Sequence, residues 1–162
     1  MLMIPVAVTI AGEMNRSPSK LLIPLSYGAL LGGAMAYVAP DVLEQVVDFG
    51  IDEQKIRRIV VLHSHFDHCG MVPFLKRRWP WATVTASRRS QELLGKQKVI
   101  DSIEMLNQAM IVQNGLTGNG KALDLRFSGI EVDAVVGEGD VLACSELSLE
   151  IMEVPGHSSC SI

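Results

Sequence analysis

The pattern of hydrophobic and polar positions divides the chain at about residue 40. MLMIPVAVTIAG (1–12) is nearly uncharged, EMNRSPSK (13–20) is a polar break, and LLIPLSYGALLGGAMAYVA (21–39) runs nineteen residues without a charge. That length meets the minimum for a membrane span, although Pro24, Ser26, Tyr27 and three glycines weaken it as a lipid-facing helix. The basic start and small-residue cleavage site of a signal peptide are absent. Beyond residue 40 the texture is that of a globular α/β protein. Asp41 is placed to cap a helix over VLEQVVDF, with Leu43, Val46 and Val47 on its apolar face and Gly50 as its stop. IDEQKI (51–56) predicts a short helical turn. RIVVLH (58–63) is β-branched and apolar without alternation, the mark of a buried strand. A loop, HSHFDHCG (63–70), follows. GMVPFLKRRW (70–79) then predicts a helix with Pro73 in its first turn and basic residues in its last. WATVTAS (81–87) predicts a strand; SRRSQELLGKQ (87–97) and VIDSIEMLNQAMIVQNG (99–115) predict helices. GLTGNGKAL (115–123) is a loop, either a solvated connection or a substrate loop. IEVDAVV (130–136), a GEGD turn, VLAC (141–144) and LSLEIMEV (147–154) are β-rich, and PGHSSCSI follows the last of them. This order predicts a layered α/β protein with a mixed sheet and flanking helices.

Composition narrows the function classes. The 162 residues suffice for one domain with a real core, and 48% apolar with 20% charged residues is globular. The formal net charge is −4 and no basic stripe appears, which argues against nucleic acid as a partner. KRRW (76–79) and SRR (87–89) are short enough to be solvated helix faces. The three cysteines, Cys69, Cys144 and Cys160, match no zinc-ribbon spacing, and a reduced, cytoplasmic setting is the simplest reading. Cys69 follows the histidine cluster and Cys160 follows His157, so each is either a small semi-buried residue or a neighbour of a metal.

The candidate chemistry lies in HSHFDH. Three of the chain's four histidines and an aspartate fall within six positions, directly after a buried strand. His63 and His65 are two apart, so in extended chain they point to the same side and can meet one ion. Asp67 and His68 come after the chain begins to turn and can face a second point nearby. Imidazole with carboxylate favours zinc, one ion or two, with iron or manganese as alternatives. The end of a buried strand is also where α/β sheets place their sites. The helical HExxH spacing is absent. In VPGHSSCS (154–161) a Pro-Gly turn leaves His157 at a strand end, the natural third imidazole for the first ion.

This pair of motifs resembles the metallo-β-lactamase fold superfamily, whose signature is HxHxDH at a strand end and a histidine in a PGHS- or PGHT-type turn roughly ninety residues later. The resemblance runs from about residue 27 to 162 and includes the GEGD turn and paired strands before the PGHS turn. It implies an αββα sandwich with a dinuclear site. By position, His63, His65 and His157 would hold the first metal, and Asp67 and His68 the second. His65, not Glu, at the motif's second position leans toward hydrolytic zinc enzymes. The implied reaction is attack on an ester, thioester, amide or phosphoester of a small-molecule substrate by metal-activated hydroxide, with Asp67 orienting the water and handling its proton. In that family a bridging aspartate and a last histidine come after the turn. Here five residues follow His157, no further histidine exists, and Asp133 and Asp140 precede the turn. Residues 1–33 resemble a piece of a sodium-coupled dicarboxylate/sulfate symporter, through SPSK and L-x-P-L-S-Y-x-x-L-L-G-G. The expectation is therefore a truncated or chimaeric reading frame: an apolar N-terminal segment (1–26) before a partial hydrolase domain (27–162). The alternative is a membrane-associated, non-catalytic metal-binding fragment.

Overall fold

A computed structural model describes residues 46, 50–113, 126–144 and 147–162. The apolar N-terminal segment, Asp41 and most of the helix it would cap, and most of the GLTGNGKAL loop lie outside the described residues. Of the predicted 41–49 helix, Val46 is helical and buried, and Gly50 follows at φ +62°, the left-handed conformation expected of a helix-ending glycine. Among the described residues no helix is long and apolar enough to cross a membrane.

The elements follow in the order 3-10 turn (Glu53–Lys55), β1 (Arg58–Val61), α1 (Phe66–Cys69), α2 (Val72–Arg78), β2 (Thr83–Ser87), α3 (Arg88–Leu94), α4 (Gln97–Gln113), β3 (Ala134–Val136), β4 (Val141–Cys144) and β5 (Leu147–Glu150). β1, β2 and β3 form a parallel sheet in that order, with Ile59 opposite Val84, Val61 opposite Ala86 and Ser87 opposite Val136. β4 and β5 form a separate antiparallel pair, Leu142 opposite Leu149. The mixture of strand directions expected from the sequence is thus divided between two sheets.

Side-chain alternation sorts the core into two layers. Ile59 and Val61 of β1 and Val84 and Ala86 of β2 pack with Cys69, Val72, Leu75, Leu94 and Ile103 from the helices. Val60 and Val136 face the other way and meet Leu142 of β4 and Ile151, the residue after β5, with Leu62 and Ile162 at the margin. Helices, parallel sheet and antiparallel ribbon therefore stack as three of the layers of the expected αββα sandwich.

Several boundaries differ from the sequence reading, each for a local reason. The HSHFDHCG segment is not all loop. The His68 and Cys69 amides both donate to the His65 carbonyl at 3.0 Å, closing the helical turn α1. α2 starts only at Val72, after Gly70 and Met71. α3 starts at Arg88 because Ser87 is its N-cap, accepting from the Ser90 amide at 3.1 Å. β3 is shorter than IEVDAVV because the Asp133 carboxylate takes the Val84 amide (2.7 Å) and the Lys76 ammonium (3.0 Å). β5 stops at Glu150, opposite Val141 where β4 begins; beyond it Ile151 bonds to the GEGD turn, donating to the Asp140 carbonyl at 2.8 Å and accepting the Gly139 amide at 2.9 Å, and Met152 and Val154 remain exposed. The GEGD turn is present: Asp140 accepts from the Gly137 amide at 2.8 Å, and Gly139 sits at φ +77°.

Trp79 closes the helical side. It is fully buried, and its indole donates to Glu53 at 2.7 Å, a carboxylate that also binds Arg78 through two 2.7 Å bonds. Hydrogen bonding to Arg78 is the chief cause holding the Glu53 carboxyl below its ordinary value. Trp79→Ala is expected to cost about 3–5 kcal/mol in urea denaturation; Trp81→Ala, whose ring is 39% exposed, is expected to cost clearly less.

Candidate metal centre

The parallel sheet delivers its strand ends to one edge. β1 ends at Val61, and two residues on, His63 is 5% exposed at the base of a cluster of rings. His65, extended at φ −70° and ψ 145°, precedes α1. The short helix then places Asp67 in its first turn and buries His68 in its last. This geometry follows from the sequence: the β-branched run fixes the strand, and the chain turns sharply where that run stops.

His157 arrives from the far end of the chain. Residues 154–162 fold back on themselves, with the Val154 amide donating to the Ser161 carbonyl at 3.1 Å, and then run past β1, where the Ile162 amide donates to the Leu62 carbonyl at 3.1 Å. The result brings three imidazoles together. One nitrogen from each of His63, His65 and His157 lies within 4.8 Å of the other two. The ring centroids of His65 and His157 are 4.7 Å apart, and those of His63 and His157 5.2 Å. His65 and His157 are exposed, so the cluster opens to solvent on one side.

His68 lies behind this group, its ring 4.0 Å from that of His63. Its Nε2 is 3.5 Å from the Asp67 carboxylate. Asp67 and His68 therefore form a pair beside the three-imidazole group rather than members of it. Two buried ring nitrogens, Nε2 of His63 and Nδ1 of His68, have no hydrogen-bond partner among the described residues. An orphaned buried polar nitrogen is costly. A cation at the centre of the group would satisfy such an atom, and the imidazole-rich donor set is chemically suited to one.

Electrostatics favour the neutral form of the two buried rings, His63 and His68. Burial first, then the neighbouring His68, His65 and His157 rings, push His63 down to about 4, against a smaller opposing pull from Asp67. Burial also lowers His68, again against Asp67. Neutral imidazole is the form that donates a lone pair to a metal.

Two of the three cysteines, Cys69 and Cys160, differ in their surroundings. Cys69 is a core residue, and burial pushes its thiol well above its ordinary value. Cys160 is also buried, yet its sulfur lies 3.2 Å from the Ser64 hydroxyl and 2.9 Å from the Ser158 hydroxyl, and accepts the Ser64 amide at 3.4 Å. Burial raises this thiol, but hydrogen bonds from Ser158, Ser64 and Ser90 outweigh it, and the net shift is downward. Ser64, Ser158 and Ser87 were not singled out from the sequence. The available signal was their place beside each histidine motif and at the end of β2.

The family model described as the metallo-beta-lactamase superfamily matches residues 32–162. Acyl-coenzyme A thioesterase MBLAC2 of Homo sapiens is 25% identical over 103 residues, 64% of this chain and 34% of that protein. Its counterpart of the same name in Bos taurus is 26% identical over the same extent. The chain thus spans about a third of the length of these curated relatives. Among solved structures, BJP-1, a subclass B3 metallo-beta-lactamase of Bradyrhizobium japonicum, is similar at a TM-score of 0.54 and 26% identity, covering 79% of this chain and 42% of that one. A metallo-beta-lactamase from Cronobacter sakazakii shares the fold at a TM-score of 0.55 and 24% identity, covering 80% and 44%.

The lowered His63 value fixes a pH dependence for the metal-free protein. The unfolded chain takes up this proton near 6.5, whereas the folded chain resists it until about 4. Between those values the unfolded state holds more protons, so stability is complete above 6.5 and is lost as pH falls toward 4. Denaturation midpoints measured across this range are expected to fall with pH, and His63→Ala is expected to flatten that fall.

Proposed function

This chain belongs to the metallo-β-lactamase superfamily, and on that premise we propose that it is built for metal-dependent hydrolysis. The observation that carries the reading is the convergence of one nitrogen each from His63, His65 and His157 within 4.8 Å, with the buried Nε2 of His63 lacking a partner among the described residues. Three imidazoles with an open side are a donor set for a hydrolytic zinc ion, which needs a free position for water. His63, His65 and His157 would hold that ion, and Asp67 with His68 would supply donors for a second. A bound zinc supplies Lewis acidity and makes hydroxide available near neutral pH.

The remaining roles belong to the chain's own side chains. Asp67, 3.5 Å from His68 Nε2 on the turn that follows His65, would be the carboxylate to orient a water and accept its proton. His63, held neutral by its burial, presents its lone pair without a proton to displace near pH 7. The exposed rings of His65 and His157 mark the side from which substrate enters.

The substrate class proposed first is an acyl thioester, because the human and bovine relatives carry the name acyl-coenzyme A thioesterase. Other esters, amides and phosphoesters are the comparison set. Purified protein dialysed against zinc is expected to retain at least about one ion per chain and to hydrolyse an acyl thioester. His63→Ala is expected to lose both properties, with turnover falling by two orders of magnitude or more, about 3 kcal/mol in transition-state stabilisation. Sub-stoichiometric zinc, together with turnover that His63→Ala leaves unchanged, would remove the reading.

A further inference from the structure

Two segments that are remote in sequence meet on a single sulfur atom. Cys160 lies 96 positions from Ser64, yet its Sγ accepts the Ser64 amide at 3.4 Å and contacts the Ser64 hydroxyl at 3.2 Å. The same sulfur contacts the Ser158 hydroxyl at 2.9 Å, and Ser158 also accepts the Cys160 amide at 3.1 Å. Ser64 is the residue between His63 and His65, and Ser158 is the residue after His157. The sulfur therefore joins the immediate chain neighbours of all three converging imidazoles.

Cys160 is itself held from behind. Its carbonyl accepts the Ser87 hydroxyl at 2.9 Å, and the Ser90 hydroxyl lies 3.4 Å from the same oxygen. Ser87 ends β2 and caps α3, so residue 160 is referenced to the centre of the parallel sheet. Cys160 is 3% exposed, which keeps water from competing for these bonds. In the same segment, the buried Nε2 of His63 is without a hydrogen-bond partner among the described residues.

We propose that Cys160 is a positioning residue: its thiol latches the His63–Ser64–His65 segment to the His157 turn and sets the spacing of the three imidazoles. The inference rests on the metal-dependent reading above and assigns the cysteine no role as a ligand. Alanine at this position would leave the Ser64 amide and two hydroxyls facing a methyl group. Serine would keep both a donor and an acceptor, on a shorter bond.

Cobalt(II) titration of the metal-free full chain, read by its visible spectrum, tests the latch. Cys160→Ala is expected to bind cobalt about 10- to 100-fold more weakly, the range found when a partner behind a metal ligand is removed, and to show an altered ligand-field band. Cys160→Ser is expected to recover most of the affinity and the wild-type band. Wild-type affinity and spectrum in Cys160→Ala would overturn the latch, as would a Cys160→Ser variant as impaired as Cys160→Ala. A sulfur-to-cobalt charge-transfer band that vanishes in Cys160→Ala would also overturn it, by making the thiol a ligand. Should Cys160→Ala not fold, Ser158→Ala carries the same comparison: weaker binding in a folded protein supports the latch, and unchanged binding overturns it. A wild-type chain that takes up no cobalt would overturn the metal-dependent reading and the latch together. Uptake by the wild type that Cys160→Ala matches would overturn the latch alone.

Discussion

Everything at the site depends on residues 154–162 lying across the ends of β1 and β2. The Ile162 amide on the Leu62 carbonyl, the Ser87 hydroxyl on the Cys160 carbonyl and the Ser64 amide on the Cys160 sulfur hold that segment in place. Without these bonds, nothing would hold His157 against His63 and His65. These bonds require a rigid surface, and the buried Ile59, Val61, Val84 and Ala86 provide it by fixing the β1–β2 register. The order of causes is therefore apolar packing first, strand pairing second, docking of residues 154–162 third and the imidazole cluster last.

The cluster is electrostatically demanding in its own right. His63 lies against three other imidazole rings, and burial at His63 and His68 removes the solvent that would otherwise screen a positive charge there. Holding His63 at about 4 resolves the conflict by keeping the ring neutral, but its buried Nε2 still lacks a partner among the described residues. Such an arrangement stores a cost that a bound cation would relieve, which couples metal binding to stability. Cys69 and Cys160 show how position alone separates two identical side chains: one is packed into the helical core, the other placed where hydrogen bonds converge.

Much of the fold was legible in the sequence where a single local signal dominated. The β-branched run at 58–61 announced β1, and GEGD announced its turn. The failures came where tertiary contacts override local pattern. The apolar alternation of IEVDAVV runs past the point where Asp133 diverts its side chain to Val84 and Lys76, and LSLEIMEV runs past the end of its partner strand. The division of the strands into two sheets is invisible to periodicity, which reports which face is buried but not what covers it. At the site, the two-residue spacing placed His63 and His65 together, and the Pro-Gly turn at a strand end offered His157 as their third member. The serine–cysteine knot behind them depends on contacts spanning tens of residues, Cys160 lying 96 positions from Ser64. Spacing carries no trace of those.

The central claim is that three imidazoles, and no sulfur, define the primary metal site. X-ray absorption fine structure of the zinc-loaded chain tests it directly. The account predicts a first shell of nitrogen and oxygen at about 2.0–2.1 Å with multiple-scattering features of about three imidazoles, one of which disappears in His157→Ala. A sulfur shell at about 2.3 Å, or an imidazole count that His157→Ala leaves unchanged, would contradict it.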